Sequence, residues 1–158
     1  MNVEIERKFL VREQPANLNR FPHQSIVQGY IFTNEHFELR LRKKADKRLL
    51  TIKKGAGLKR TEVETSLSSE QFDRLWPLTE GKRLQKVRYE IPHNGACIEL
   101  DVYSGILEGL ILAEVEFASE QESISFEPPS WFGKEVTEDE RFKNKNLVFS
   151  GEFAPLMK

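Results

Sequence analysis

The chain has 158 residues and a formal net charge of −1 at pH 7, from 24 Lys and Arg against 25 Asp and Glu. This length predicts a single domain, residues 1–158, with one sizeable core. The balanced charge argues against binding to nucleic acid through a large basic surface. A single cysteine excludes an internal disulfide, and no apolar run resembles a signal peptide or a membrane span. We therefore expect a cytoplasmic protein that binds neither nucleic acid nor membrane.

Eight segments alternate apolar and polar residues with the period of a β-strand. The turn at Asn94-Gly95 suits a hairpin, because these residues accept positive φ. Eight antiparallel strands with short turns can close into a barrel, which removes exposed sheet edges. We expect a mainly β (α+β) fold, a closed eight-stranded antiparallel β-barrel with helices packed outside. The predicted strands cover residues 3–11, 26–33, 37–43, 49–54, 58–67, 83–91, 97–103 and 111–117.

Helix-capping patterns appear between and after these strands. Ser68 and Gln71 form a capping box just before an apolar stretch. Thr137 and Glu140 have the same spacing and predict a second capped helix near the end of the chain. The predicted helices cover residues 68–76, 120–123 and 137–147.

One face of nearly every predicted strand carries ionised side chains. Residues two apart in a strand share a face, so Glu4, Glu6 and Lys8 lie together, and so do Arg40 and Arg42. Two arrangements fit this pattern equally well. The ionic faces are either the solvated outside of a sheet or the lining of a wet bore. A bore would have to pair its charges or hold a ligand that does so.

The ionic residues form an ordered series of motifs that begins with Glu4-x-Glu6-x-Lys8. The series resembles the CYTH, or triphosphate tunnel metalloenzyme, superfamily. Alternating charges are common, but an ordered series across almost the whole chain is specific. The resemblance implies that the ionic faces line an eight-stranded tunnel. The other motifs are Gln28-Gly29-Tyr30, Glu38-Leu39-Arg40-Leu41-Arg42, Thr51-Ile52-Lys53, Arg60-x-Glu62-x-Glu64, Lys86-x-Arg88, Glu99-Leu100-Asp101, Glu114-Val115-Glu116 and, in the tail, Phe142-Lys143-Asn144.

The resemblance also divides the ionic residues by role. Carboxylates without soft ligands suit a hard cation, Mg²⁺ or Mn²⁺. It implies that the acidic ligands are Glu4, Glu6, Glu114 and Glu116, with Glu62, Glu64 and Asp101 as further metal ligands or as groups that orient the bases. It implies that the triphosphate is bound by Arg40, Arg42, Lys53, Arg60, Lys86 and Arg88. Lys8 is the candidate for activating water, and Tyr30 is either a second catalytic group or a packed aromatic residue.

The function that the resemblance implies is metal-dependent hydrolysis of the terminal phosphate of a small-molecule triphosphate. Inorganic tripolyphosphate is favoured over nucleoside triphosphates, because the short bacterial members that the chain resembles are chiefly inorganic triphosphatases. Two alternatives stay open, a class IV-type adenylate cyclase and a non-catalytic phosphate-binding barrel. The protein is expected to be a monomer or a homodimer.

Overall fold

The computed structural model describes residues 4–55 and 61–149, and β-strands dominate them. Three short α-helices interrupt or follow the strands: α1 (Ser69–Leu75), α2 (Glu120–Ser125) and α3 (Asn144–Leu147). None of the helices in these two ranges is long and apolar enough to cross a membrane. The strands are β1 (Ile5–Val11), β2 (His23–Thr33), β3 (Phe37–Lys44), β4 (Lys47–Lys54), β5 (Thr61–Ser66), β6 (Arg83–His93), β7 (Ala96–Ser104), β8 (Ile111–Phe117) and β9 (Phe132–Glu135).

All nine strands belong to one antiparallel sheet with the order β5-β4-β3-β2-β6-β7-β8-β1-β9. The prediction of a mainly β, antiparallel fold is therefore confirmed. Closure into an eight-stranded barrel is not confirmed, because within the described ranges no hydrogen-bonded ladder joins β5 to β1 or β9. The sheet also contains a ninth strand that the sequence pattern did not predict.

The sheet is strongly curled, as a contact between distant parts of its strand order demonstrates. Lys53 on β4 lies 3.4 Å from Oε2 of Glu4, which directly precedes β1. Its cross-strand partner on the neighbouring edge strand β5 is Glu62, whose Oε2 lies 3.9 Å away. The twist of neighbouring strands accumulates across a large sheet, so a long meander bends back towards its other end. The ionic residues lie on the concave face.

Two buried apolar clusters pack against the two faces of the curled sheet. The first fills one end of the concave face, where Tyr30, Leu84 and Tyr103 pack with the C-terminal residues Phe142 and Leu147. The second covers the convex face of β1, β7 and β8, whose apolar residues alternate with the ionic ones. Its members include Phe9, Ile98, Leu100, Val115 and Phe132. The ionic stretch of the concave face therefore lies beside a closed, apolar end.

The predicted helix over residues 137–147 is wrong. The Thr137 hydroxyl accepts a hydrogen bond from the Lys8 backbone at 3.0 Å and donates to Glu135 at 2.7 Å, so it caps no helix. The chain instead forms a 3-10 turn, Glu140–Phe142, and the short helix α3.

The other capping box is confirmed at α1, where Ser68 and Gln71 exchange both hydrogen bonds. The first three residues of the predicted strand 58–67, Arg60 among them, lie outside the described residues.

Candidate active site

A cavity of about 240 Å³ opens on the concave face, and ionised side chains form most of its wall. Cross-strand pairing explains why they meet, since Glu6 pairs with Glu116 and Lys8 with Glu114 in the β1–β8 ladder. Of the predicted site residues, the structure brings ten into this wall: Glu4, Glu6, Lys8, Tyr30, Arg40, Arg42, Lys53, Arg88, Glu114 and Glu116.

Two predicted residues lie behind this wall rather than in it. The side chains of Lys86 and Asp101 are 0% exposed, and Lys86 Nζ lies 2.8 Å from Asp101 Oδ2. Asp101 also accepts from Arg88, from Nε at 2.7 Å and from a terminal nitrogen at 2.8 Å. Burial alone would raise the pKa of Asp101, but the charges of Lys86 and Arg88 outweigh it and lower that pKa. Asp101 thus fixes the Arg88 guanidinium at the cavity wall.

Lys8 and Glu114 form an ion pair at one corner of the cavity. Lys8 Nζ lies 3.2 Å from Glu114 Oε1 and donates to the carbonyl oxygen of Phe142 at 3.1 Å. The other Glu114 oxygen lies 3.6 Å from Arg88. Burial would raise the pKa of Glu114, but the charges of Lys8 and Arg88 outweigh it and hold that pKa well below its usual value. Glu114 is therefore ionised.

Glu6 is a cavity carboxylate whose burial is not offset by a close ion pair with any described residue. Among residues 4–55 and 61–149, no basic group lies within ion-pair distance of Glu6 or Glu116. Burial, together with the negative charge of Glu114, raises the pKa of Glu6. A divalent cation would relieve both effects, and carboxylate oxygens are the donors that Mg²⁺ and Mn²⁺ prefer. The donor set fits such an ion, although in the described part of the chain no three acidic or imidazole groups already converge on one point.

Arg40 and Arg42 on β3 place excess positive charge in the same cavity. In the part of the chain that the structure describes, neither guanidinium has a carboxylate within ion-pair distance, and Nε of the buried Arg40 has no hydrogen-bond partner. Arg42 Nε donates to the amide oxygen of Gln28 at 3.1 Å. Burial lowers the pKa of Arg42 to about 10, with the positive charges of Arg40 and Arg88 adding to the effect. Two neighbouring cations without a counter-ion make an anion site.

Tyr30 is both a packed aromatic and a member of the cavity wall. Its ring is buried, and its hydroxyl oxygen accepts a hydrogen bond from Gln28 at 3.1 Å. Burial raises the pKa of Tyr30 to about 12, so the phenol keeps its proton at neutral pH. Gln28 thus links Tyr30 to Arg42, a connection that the motif Gln28-Gly29-Tyr30 contained but that we did not assign.

The two remaining acidic candidates lie on β5, outside the cavity wall. Glu62 lies near Lys53, and burial, with its hydrogen bond to Glu4, raises its pKa. Glu64 accepts a hydrogen bond from the Thr51 hydroxyl at 3.0 Å. Both are therefore placed to orient neighbouring polar groups.

Four wall residues were not among the predicted site residues: Glu38, Glu99, Lys143 and Asn144. The alternation of their strands could have identified Glu38 and Glu99, which share a face with Arg40 and Asp101. Burial raises the pKa of Glu99, which contacts Arg88 at 2.9 Å. Lys143 and Asn144 come from an irregular C-terminal turn, where no sequence period indicates which side chains point inward.

Comparisons with known proteins identify the family of the chain. The family model for the CYTH domain matches residues 2–147. An inorganic triphosphatase of Nitrosomonas europaea is 48% identical over 151 residues, 93% of this chain and 97% of that protein. An inorganic triphosphatase of Acetivibrio thermocellus is 37% identical over 150 residues, 94% of each chain. A crystal structure of an inorganic triphosphatase aligns with a TM-score of 0.74 at 44% identity, covering 95% of this chain and 97% of that one. The chain belongs to the CYTH domain family.

Proposed function

We propose that this protein hydrolyses the terminal phosphoryl group of a triphosphate in a reaction that depends on a divalent cation. One observation carries the proposal. Among residues 4–55 and 61–149, Arg40 and Arg42 have no carboxylate within ion-pair distance, and Glu6 in the same cavity has no basic group within that distance. A triphosphate with a bound divalent cation supplies both missing counter-charges. The two curated relatives are named inorganic triphosphatases, which favours inorganic tripolyphosphate over nucleoside triphosphates.

The acidic side of the cavity fits the cation. Glu4, Glu6, Glu114 and Glu116 would hold Mg²⁺ or Mn²⁺, which when bound neutralises charge on the phosphate oxygens. Glu114 also fixes Lys8, and Lys8 in turn is held by the Phe142 carbonyl. We assign Asp101 a supporting role, in which it holds Arg88 at the wall and binds Lys86 beneath it.

The basic side fits the triphosphate. Arg40, Arg42, Lys53 and Arg88 would donate hydrogen bonds to phosphate oxygens, and the arginine forks suit bidentate contacts. Phosphoryl transfer requires little covalent chemistry from the protein. Its rate depends mostly on positioning and on neutralising charge, and this wall supplies both.

Lys8 and Tyr30 are the proposed catalytic groups. The lysine ammonium has three donors, and Phe142 and Glu114 accept two of them. The third would orient the attacking water or contact the terminal phosphate. Tyr30, with its raised pKa of about 12, acts as a hydrogen-bond donor rather than as a base.

We further infer that the curled sheet closes around its substrate as a tunnel, since Lys53 near one edge of the sheet already contacts Glu4, which precedes β1 near the other edge. A free, exposed Cys97 suits a reducing cytoplasm. The small substrate and the self-contained wall are compatible with a monomer or a homodimer.

A phosphate-release panel tests the proposed function. Tripolyphosphate, ATP, GTP and pyrophosphate would each be assayed with Mg²⁺, with Mn²⁺ and without metal. The expected result is metal-dependent release that is fastest from tripolyphosphate. Pyrophosphate and cyclic AMP formed from ATP would instead favour a cyclase. Binding of tripolyphosphate without release would favour a non-catalytic barrel.

Two substitutions test the site itself. Glu6→Ala and Lys8→Ala are expected to abolish metal-dependent release while the far-ultraviolet circular dichroism stays that of the unmodified protein. Matched controls are Glu108→Ala and Lys47→Ala, because both side chains are exposed and far from the cavity wall. Full activity of the Glu6 and Lys8 variants would overturn the site assignment.

A further inference from the structure

The C-terminal turn contributes an uncharged side chain to the ionic wall. Asn144 begins α3 and lines the cavity, and its Oδ1 accepts a hydrogen bond from the Tyr103 hydroxyl at 2.7 Å. Tyr103 lies on β7, two residues after Asp101, and is 2% exposed. Burial raises its pKa well above the usual value, so its hydroxyl stays a donor. The amide of Asn144 is thereby anchored through its oxygen.

The hydrogen bond to the oxygen determines which atoms of the Asn144 amide are available to a ligand. An asparagine side chain has one acceptor oxygen and two N–H donors. With Tyr103 bound to the oxygen, the Nδ2 end is the part available to a ligand. Within the described residues, no protein acceptor takes a hydrogen bond from Nδ2 of Asn144, whereas Asn146 two residues on donates to the Glu140 carbonyl at 2.7 Å.

The same turn also holds Lys8. The carbonyl that accepts from Lys8 Nζ belongs to Phe142, two residues before Asn144. Asn144 and Lys8 therefore occupy one corner of the cavity, next to the ionised Glu114. A neutral donor in this corner can contact an anion without adding another charge beside the Lys8–Glu114 pair.

We propose that Asn144 donates a hydrogen bond from its amide to an anionic oxygen of the triphosphate beside Lys8, and that Tyr103 is the positioning residue that orients this amide. The inference rests on the proposed triphosphatase function and adds a substrate contact that comes from outside the sheet. The competing explanation is that the Tyr103–Asn144 hydrogen bond only fastens α3 to the core.

Steady-state kinetics with tripolyphosphate and Mg²⁺ separate the two explanations. Asn144→Ala should lower kcat/KM about 10- to 100-fold, the usual effect of losing a hydrogen bond to a charged group. Asn144→Asp should lower it further, because a carboxylate would face the phosphate. Tyr103→Phe should cost about 3- to 10-fold, and the double variant Tyr103→Phe/Asn144→Ala should be no worse than Asn144→Ala alone.

The control is Asn146→Ala, which removes a hydrogen bond from the same turn but leaves kcat/KM within about twofold. If Asn144→Ala lowers Tm and also leaves kcat/KM within twofold, the inference is overturned, since the bond then only fastens α3. If the unmodified protein releases no phosphate, the proposed function fails instead. In that case calorimetric titration with tripolyphosphate tests the contact with Asn144. The inference requires Asn144→Ala to bind tripolyphosphate about tenfold more weakly than the unmodified protein, and equal binding refutes it.

Discussion

Replacing Asp101 by asparagine tests the buried charges beneath the cavity. The carboxylate is fully buried and accepts from Lys86 at 2.8 Å and from Arg88 at 2.7 and 2.8 Å. Asparagine keeps the shape but removes the counter-charge that Lys86 and Arg88 share, while Arg88 keeps its contacts with Glu99 and Glu114. Removing one partner of a buried ion pair costs about 3–5 kcal/mol. Folded domains are stable by only about 5–15 kcal/mol, so Asp101→Asn should remove a large part of the free energy of unfolding.

Thermal unfolding measures this loss. For a chain of this size each kcal/mol shifts Tm by about 2–4 °C, so Asp101→Asn should lower Tm by about 6–20 °C. The control is Asp46→Asn on the exposed turn between β3 and β4, which should change stability by no more than about 0.5 kcal/mol. Adding Lys86→Met removes one stranded cation and should restore part of the Tm. Equal Tm values for Asp101→Asn and Asp46→Asn would refute the reasoning.

The unpaired groups of the cavity support three further predictions. Because the pKa of Glu6 is raised, metal-dependent activity should fall as the pH decreases through that raised value. A higher Mg²⁺ concentration should move this fall in activity to lower pH. A fall that does not respond to Mg²⁺ would contradict metal binding by Glu6. Arg42→Gln should raise KM for tripolyphosphate about tenfold without lowering Tm, since it removes a cation that has no counter-ion among the described residues. A lower Tm with unchanged KM would indicate a structural role. Tyr30→Phe should lower kcat about tenfold at every pH from 7 to 9, because the phenol does not titrate in that range. An unchanged kcat would exclude Tyr30 from catalysis.

Strand alternation predicted the shared faces of the site well, because the period of two is a local property of the chain. It put Glu6 with Lys8 and Arg40 with Arg42, and all four line the cavity. The alternation of apolar and ionic residues does not predict which face of the sheet is concave, since the curvature depends on twist accumulated across the whole sheet. The ordered family motifs supplied that part of the prediction.

The errors of prediction lie where tertiary contacts override a local signal. Thr137 and Glu140 have the spacing of a capping box, but the hydroxyl of Thr137 binds the backbone of β1 at Lys8. Lys86 shares a face with Arg88 as alternation predicts, but its burial against Asp101 is a tertiary feature that alternation does not predict. Asn144 belongs to a turn that has no period; the family motif included it, but only the structure places it in the cavity wall and against Tyr103.

The division between paired and unpaired charges separates the parts of the site that stabilise the fold from those that await a ligand. Asp101 pairs with both Lys86 and Arg88, and Arg88 also contacts Glu99 and Glu114, so these buried charges have counter-charges from the protein. Arg40, Arg42 and Glu6 have no oppositely charged group within ion-pair distance in the part of the chain that the structure describes. A bare anion would satisfy the arginines but place phosphate oxygens against the carboxylates, and a bare cation would leave the arginines repelling each other. Because both imbalances share one small cavity, the ligand that removes them together is an anion that carries its own cation.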